Sequence, residues 1–178
     1  MSQQLILEFH QAKWREDYAR QADALQQAFG ANFVGVHHIG STAIPGIYAK
    51  PIIDILVEVD DIDLVDDCEQ GLRQLGYDPK GEYGISGRRY FQKSDENFRR
   101  THHMHVFGVD TSEIKRHLGF RDFLIAHPTW AKKYSELKRE LVAAYDGNKD
   151  RYINGKDLFI KSIDQRVTDW LRAKANRQ

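Results

Sequence analysis

The sequence predicts an α/β (α+β) fold in which a mixed β-sheet core is followed by a C-terminal helical subdomain. Over residues 1–110, short apolar runs typical of strands alternate with helical stripes of apolar side chains. From Thr111 onward the apolar residues recur only at helical spacing. Since no repeat or long linker separates the two parts, we expect 1–110 and 111–178 to pack together as one compact unit.

The first part is predicted to contain strands and two helices. The first helix covers residues 14–29, where one face carries an apolar stripe and Gly30 follows as a terminator. Further elements are strands at 33–39, 52–59, 88–93 and 103–109 and a helix at 64–75 closed by Gly76. The run at 52–59 is almost continuously apolar, which indicates a strand buried on both faces.

The second part is predicted to be helical throughout. Its first helix covers residues 114–124 and ends before Pro128. Thr129 is expected to cap the next helix, which covers residues 130–144. The remaining elements are a turn at 146–148 and a last helix at 158–171.

The composition restricts the class of protein. The chain carries 26 Lys and Arg against 26 Asp and Glu, so a protein whose whole surface binds nucleic acid is not expected. No apolar run reaches the length of a membrane span, and no signal-peptide-like apolar region is seen. The single cysteine, Cys68, excludes an internal disulfide and a multi-cysteine zinc site. We therefore expect a cytoplasmic globular protein with neither a membrane nor a nucleic acid as its partner.

The zero net charge conceals two halves of opposite sign. Residues 1–78 hold 5 Lys and Arg against 13 Asp and Glu, whereas residues 79–178 hold 21 against 13. The two halves could face each other across a ligand or face different ligands, and both could also be ordinary solvated surface.

The most informative segment is Gly40-Ser41-Thr42, which follows the first predicted strand. A small Gly-Ser pair in this place lets backbone N–H groups and a hydroxyl approach a phosphate closely. The next strand carries Asp54 among apolar neighbours, and a buried carboxylate needs a metal, a base or hydrogen-bond donors. A tight turn followed by an acid that loop amides satisfy is the structural alternative.

The run HIGSTAIPG, followed by AKPIIDILV, resembles the signature of the GrpB family of small bacterial proteins in the nucleotidyltransferase superfamily. The likeness continues through the segments 99–106, 120–128, 134–141 and 151–160 and spans nearly the whole chain. It implies a nucleotidyltransferase-like mixed sheet core. GrpB-like domains also occur fused to dephospho-CoA kinase, which implies either a coenzyme A-linked activity or a docking role.

The resemblance also implies a set of site residues. Members of the superfamily hold nucleotide phosphates with a Gly-Ser pair and bind two divalent metals with an Asp-x-Asp pair and a third acid. On this basis Gly40-Ser41-Thr42 is expected to bind phosphate and Asp54 to be the catalytic acid. The second acid is missing, because position 56 is Leu and Glu58 lies roughly 7 Å beyond it along the strand.

Histidines could supply the metal ligands that the missing acid does not. His103 and His105 share one face of a predicted strand, a spacing suited to one metal that Asp54 also ligates. This donor set favours a transition metal, whereas the resemblance implies Mg²⁺, so a divalent metal of either kind is the expected cofactor. Alternatively the imidazoles hydrogen-bond Asp54 or contact a phosphate when protonated. In a further hypothesis His38 or His105 acts as a general base.

Four basic residues are candidates for phosphate binding: Lys50, Arg121, Lys138 and Lys156. In related nucleotidyltransferases a helical subdomain closes over the triphosphate. By that analogy Lys138 and Lys156 would bind phosphate as point charges, and Arg121 would bind it in bidentate fashion. Each could instead be solvated or paired with a carboxylate, and Arg121-Asp122 could be a structural ion pair.

Two functional hypotheses follow. The first is binding of a nucleotide or another phosphorylated small molecule between sheet and helices, with metal-assisted transfer of a nucleotidyl group as its extension. The second is a catalytically silent fold that serves as an accessory or partner-binding module, which Leu56 favours. RNA modification would need a continuous basic track, and the acidic stretch 60–67 argues against a large one.

Overall fold

The computed structural model describes residues 5–145 and 148–176, so Asp146 and Gly147 of the predicted turn lie outside the described residues. The chain forms, in order, β1 (Glu8–Phe9), α1 (Lys13–Phe29), β2 (Phe33–Ile39), β3 (Tyr48–Ala49), β4 (Ile53–Val59), α2 (Glu69–Gln74), β5 (Tyr77–Pro79), β6 (Arg88–Ser94), β7 (Arg100–Gly108), α3 (Ser112–Ala126), α4 (Pro128–Ala144) and α5 (Lys149–Ala175). The predicted class, a mixed sheet followed by helices, is confirmed.

Five strands form the main sheet in the order β2-β4-β7-β6-β5, while β1 and β3 form a separate antiparallel pair. All neighbours in the main sheet are antiparallel except β4 and β7, which run parallel. Alternation along β4 sends Ile53, Ile55, Val57 and Val59 into one core and leaves Asp54 and Leu56 on the opposite face. Both faces of this central strand are covered, which explains its almost continuously apolar sequence.

The helices fall into two groups that pack in different places. Helices α1 and α2 pack on the first face through Trp14, Leu25 and Leu72. The C-terminal helices form their own core around Ile44 and Ile47, which come from the segment between β2 and β3. That segment is therefore held between sheet and helices. The boundary expected at residue 110 falls in the connection between β7 and α3.

Several element predictions need correction. Helix α4 begins at Pro128 with His127 in the capping position, not at Thr129, because proline is favoured in the first turn of a helix. Helix α5 begins at Lys149, nine residues before the predicted start, with the Asn148 side chain accepting from the Arg151 amide. The segment Asp63–Cys68, predicted as α-helix, is 3₁₀. The short strands β1, β3 and β5 are not predicted from the sequence.

A helix that crosses a membrane must be both long and apolar. Within residues 5–145 and 148–176, no helix is both long and apolar enough to cross a membrane.

Candidate functional site

The turn after β2 brings Gly40 against the carboxylate of Asp54. Ile39 pairs directly with Asp54 across the antiparallel ladder, so the chain leaves β2 beside that side chain. Gly40 has φ 70° and ψ −170°, a conformation open essentially to glycine alone. A Cβ at this position would lie 2.6 Å from Asp54 Oδ2. Glycine is therefore required both by the backbone and by the close approach of the carboxylate.

Thr42 and His38 fix the loop that follows Gly40. The Thr42 side chain is buried, and its Oγ1 lies 2.9 Å from His38 Nε2 in a hydrogen bond. The His38 ring stacks on Tyr18 with a centroid distance of 4.9 Å. Burial lowers the pKa of His38 to about 4, although Asp54 acts in the opposite direction. His38 is therefore neutral at physiological pH and holds the loop through Thr42, and its role as a general base stays a prediction.

Asp54 meets both predicted histidines, because β4 and β7 run side by side and Asp54 is directly opposite His103. The His103 Nδ1–H donates to Asp54 Oδ1 at 3.2 Å, and His105 Nε2 lies 3.8 Å from the same oxygen. The Arg88 guanidinium, which can only donate, contacts His105 Nδ1 at 3.2 Å. His105 therefore has its proton on Nε2, towards Asp54. The structure shows the hydrogen-bonded cluster that the sequence left open as an alternative to a metal site.

The imidazoles decide the protonation state of Asp54. Burial of the carboxyl group raises its pKa, but the N–H groups of His103 and His105 outweigh that effect and hold the pKa below its ordinary value. Asp54 is therefore an anion at neutral pH. Its Oδ1 is the oxygen that faces both imidazoles.

The donor set around Asp54 does not fit the two-metal arrangement of the superfamily. Leu56, at the place of the second acid, is fully buried with Ile39, Phe107 and Ile114. Glu58 contacts His37 through its Oε1, so it is engaged elsewhere. Among residues 5–145 and 148–176, no three His, Cys, Asp or Glu side chains are placed to hold one metal ion. Asp54, His103 and His105 are therefore not arranged around a metal position in this structure, and binding of a metal by the three stays a prediction.

Lys138 is the most deeply buried charged side chain of the site. Only 1% of the residue is exposed, although no carboxylate among the described residues pairs with it. Its ammonium donates to Ser41 Oγ at 2.9 Å and to the Tyr48 carbonyl, and it lies 4.5 Å from the centre of the Tyr134 ring. Burial, reinforced by the charge of Lys156, lowers the pKa of Lys138 to about 7. The Ser41 hydroxyl and a buried cation thus lie side by side.

Lys50 and Lys156 add two more cations to the same place. Both ammonium groups lie over the Tyr152 ring, at 4.7 Å and 4.3 Å from its centre. Burial lowers the pKa of Lys156 to about 8, with a further lowering from the charge of Lys50. Burial likewise lowers the pKa of Lys50. Neither lysine has a carboxylate partner within the part of the chain that the structure describes.

These groups surround a cavity of about 230 Å³ at the junction of the sheet and the helices. Its lining residues are Gly40, Ser41, Thr42, Lys50, Ile52, Asp54, His103, Phe120, Tyr134, Lys138, Tyr152 and Lys156. We call this cavity the lysine cleft. Its three lysines face a single carboxylate, so the lysine cleft favours an anion over a cation.

A second cavity, of about 210 Å³, adjoins the lysine cleft. The two share Gly40, Asp54, Phe120 and Tyr134 as walls. The arginine of the second cavity is paired with a carboxylate, because Arg116 Nε donates to Asp164 Oδ2 at 3.0 Å. A ligand with an anionic part and an uncharged part could therefore occupy both.

Arg121 is not brought to the lysine cleft, which corrects its predicted role in phosphate binding. Its Nε donates to Asp122 Oδ1 at 2.7 Å, and its Nη1 donates to the His38 carbonyl at 3.0 Å. The contact with His38 holds α3 against the end of β2. The alternative of a structural ion pair is therefore the arrangement observed.

Three aromatic residues of the lysine cleft, Phe120, Tyr134 and Tyr152, were not predicted as site residues. Tyr134 was interpreted as a core residue from its helical stripe, and it is both buried and part of the cavity wall. Tyr152 was not singled out, although it supports two lysines. A signal existed, because Tyr152 and Lys156 are four residues apart and share one face of α5.

A model of the GrpB protein family matches residues 4–166. The chain belongs to the GrpB family. The prediction made from the runs around Gly40 and Asp54 is thereby confirmed.

The relatives of this chain differ in length. YqkA of Bacillus subtilis is 44% identical over 164 residues, which are 92% of this chain and 47% of that protein. The chain thus spans about half the length of that relative. The glutamate-rich protein GrpB of Alkalihalophilus pseudofirmus is 34% identical over 90% of this chain and 94% of its own length. The dephospho-CoA kinase of Mycobacterium tuberculosis is 26% identical over 90% of this chain and 45% of the kinase.

A solved structure from another member of the family shows the same fold. The crystal structure of the conserved protein GrpB from Enterococcus faecalis superimposes with a TM-score of 0.88 at 41% identity, over 93% of this chain and 99% of that one. A remote likeness, with a TM-score of 0.46 and 10% identity, is to the Cid1 poly(U) polymerase and is too distant to transfer an activity.

Proposed function

We propose that this GrpB-family protein binds a nucleotide or another phosphorylated small molecule in the lysine cleft. The observation that carries the proposal is the convergence of Lys50, Lys138 and Lys156 beside the Ser41 hydroxyl without carboxylate partners among the described residues. Three ammonium groups packed around aromatic rings repel one another, and a phosphate would relieve that repulsion. The adjoining cavity has room for the uncharged remainder of such a ligand.

Binding is tested by isothermal titration calorimetry with ATP and with dephospho-coenzyme A, the latter because of the kinase relative. Each titration is run once with Mg²⁺ and once with EDTA. We expect one of these ligands to bind and Lys156→Gln to weaken binding about tenfold, since a charge-assisted contact contributes about 1.5–3 kcal/mol.

Lys161→Gln is the matched control for Lys156→Gln. Lys161 lies on the same helix, and its partner is Asp157 in an exposed pair. This variant removes the same charge without touching the lysine cleft, so it should bind like the unmodified chain. Binding that is equal in both variants, or absent in every titration, would contradict the proposal.

If the protein is also an enzyme, the reaction that extends this proposal is transfer of a nucleotidyl group. The competing proposal is that the protein is a catalytically silent accessory module. The burial of Leu56 in an apolar cluster favours the silent module. A docking role beside a kinase domain would suit a catalytically silent module, because the kinase relative is about twice as long as the region that matches this chain. Release of pyrophosphate from ATP in the presence of candidate acceptors would decide in favour of transfer.

A further inference from the structure

The charge of a phosphorylated ligand can be balanced by divalent metals or by cations of the protein itself. We infer that the lysine cleft binds an oligophosphate through Lys50, Lys138 and Lys156 without a divalent metal. This inference rests on the proposed function and adds how the charge is balanced and how many phosphates are bound.

The lysine cleft offers too few carboxylates for a pair of divalent metals. Asp54 is the only acid among the described residues that line it, and its Oδ1 accepts from His103 at 3.2 Å. Leu56 fills the place of a second acid with a fully buried apolar side chain. Two-metal sites for phosphoryl transfer need oxygen ligands from several acids.

The cations of the lysine cleft already exceed its anions. Three lysines line it, and Arg88 lies behind His105 at 3.2 Å from its ring. Their positive field would repel an added divalent cation and attract an anion. The lowered pKa values of Lys138 and Lys156 agree with this, because each is pushed down partly by another lysine.

The number of lysines points to more than one phosphate. Lys50 precedes β4, Lys138 comes from α4 and Lys156 from α5, so the three ammonium groups approach from separate elements. A monophosphate carries about two negative charges at most near pH 7. Three lysines and a serine hydroxyl match the charge and donor needs of a diphosphate or triphosphate better.

Calorimetric titration of the full chain with inorganic pyrophosphate tests the inference, once in EDTA and once with Mg²⁺. We expect binding in EDTA that Mg²⁺ does not strengthen. Lys50→Gln should weaken it about tenfold, as expected for the loss of one charge-assisted contact. Lys161→Gln serves as the control.

The Asp54→Asn variant distinguishes charge balance by divalent metals from charge balance by the lysines of the protein. Asparagine keeps an oxygen that can accept from His103 but removes a negative charge from the lysine cleft, so pyrophosphate should bind at least as tightly as before. Binding that requires Mg²⁺ or Mn²⁺ and disappears in Asp54→Asn would overturn the inference while leaving the proposed function intact. Absence of binding by ATP, dephospho-coenzyme A and pyrophosphate under all conditions would overturn both.

Discussion

At Lys138 a positive charge is buried where the described residues provide no carboxylate to neutralise it. The ammonium has a hydroxyl, a carbonyl and an aromatic face as partners, which satisfy its hydrogen atoms but carry no negative charge, and Asp54 in the same cavity offsets its charge only in part. A buried charge of this kind is costly unless it is paired. An anionic ligand would supply the missing pair, which is why this residue points to a ligand more strongly than an exposed lysine would.

The lowered pKa values make anion binding pH-dependent. Burial lowers the pKa of Lys138 to about 7 and that of Lys156 to about 8, whereas a bound anion favours the protonated forms and raises both. Affinity for pyrophosphate should therefore be greatest below about pH 7 and fall as the pH rises through 7 to 8 and beyond.

Lys156→Arg is the variant that checks this pH dependence, because arginine keeps its charge over the whole range. Calorimetry at a series of pH values should show a smaller fall of affinity in the variant than in the unmodified chain. The ionisation of pyrophosphate itself is common to both titrations and cancels in the comparison. Identical pH profiles would exclude titration of Lys156 as the cause.

Single residues also show how far the sequence can predict the site. Lys138 and Arg121 were predicted for the same role by the same analogy, yet only Lys138 reaches the lysine cleft. Arg121 is bound instead by Asp122, a partner that the sequence offered as an alternative, and by the His38 carbonyl, which the sequence could not show. Asp54 and His103 were brought together correctly, because strand alternation and a parallel neighbour are enough to place them opposite each other.

Among the elements, α3 and α5 are in close contact at Gly119. A Cβ added to Gly119 would lie 2.5 Å from Val167 Cγ1 on α5. Valine is stiff at χ1 in a helix, so the side chain cannot easily turn away. The small residue therefore sets the distance of α5, the helix that carries Tyr152 and Lys156, from the rest of the helical part.

Gly119→Ala is expected to destabilise the protein by about 1–3 kcal/mol, the usual cost of overpacking a filled core. Gly71→Ala in α2 is the matched control, because nothing lies within 4 Å of its added Cβ. There the better helix propensity of alanine should stabilise by up to about 1 kcal/mol. Urea denaturation of both variants measures the difference, and adding Val167→Ala should restore part of the loss. Stabilisation by both substitutions would show that the contact with Val167 is unimportant.

The elements that were predicted correctly are those with a strong periodic pattern. Helix α1 and strands β2, β4, β6 and β7 were placed to within a few residues for this reason. The two-residue strands β1 and β3 carry too few residues to show a period, and β5 contains Pro79. Helix α5 was predicted to start too late, since its first turns are mostly polar and exposed.

For the whole molecule, the two halves of opposite charge are in contact at an ion pair and at the lysine cleft. Arg89 of the basic half donates to Asp66 of the acidic half at 2.7 Å, which compensates part of the acidic stretch after β4. In the lysine cleft, Ser41 and Asp54 from one half face Lys138 and Lys156 from the other. The zero net charge therefore conceals a cavity in which the cations of one half meet a carboxylate of the other.

A crystal structure of the chain with ATP in the presence of EDTA tests whether the lysine cleft binds phosphate groups. We expect phosphate oxygens within hydrogen-bond distance of the ammonium groups of Lys50, Lys138 and Lys156 and of the Ser41 hydroxyl, with no metal between them and Asp54. Phosphates ordered at another surface, or an empty lysine cleft at saturating ATP, would contradict this expectation.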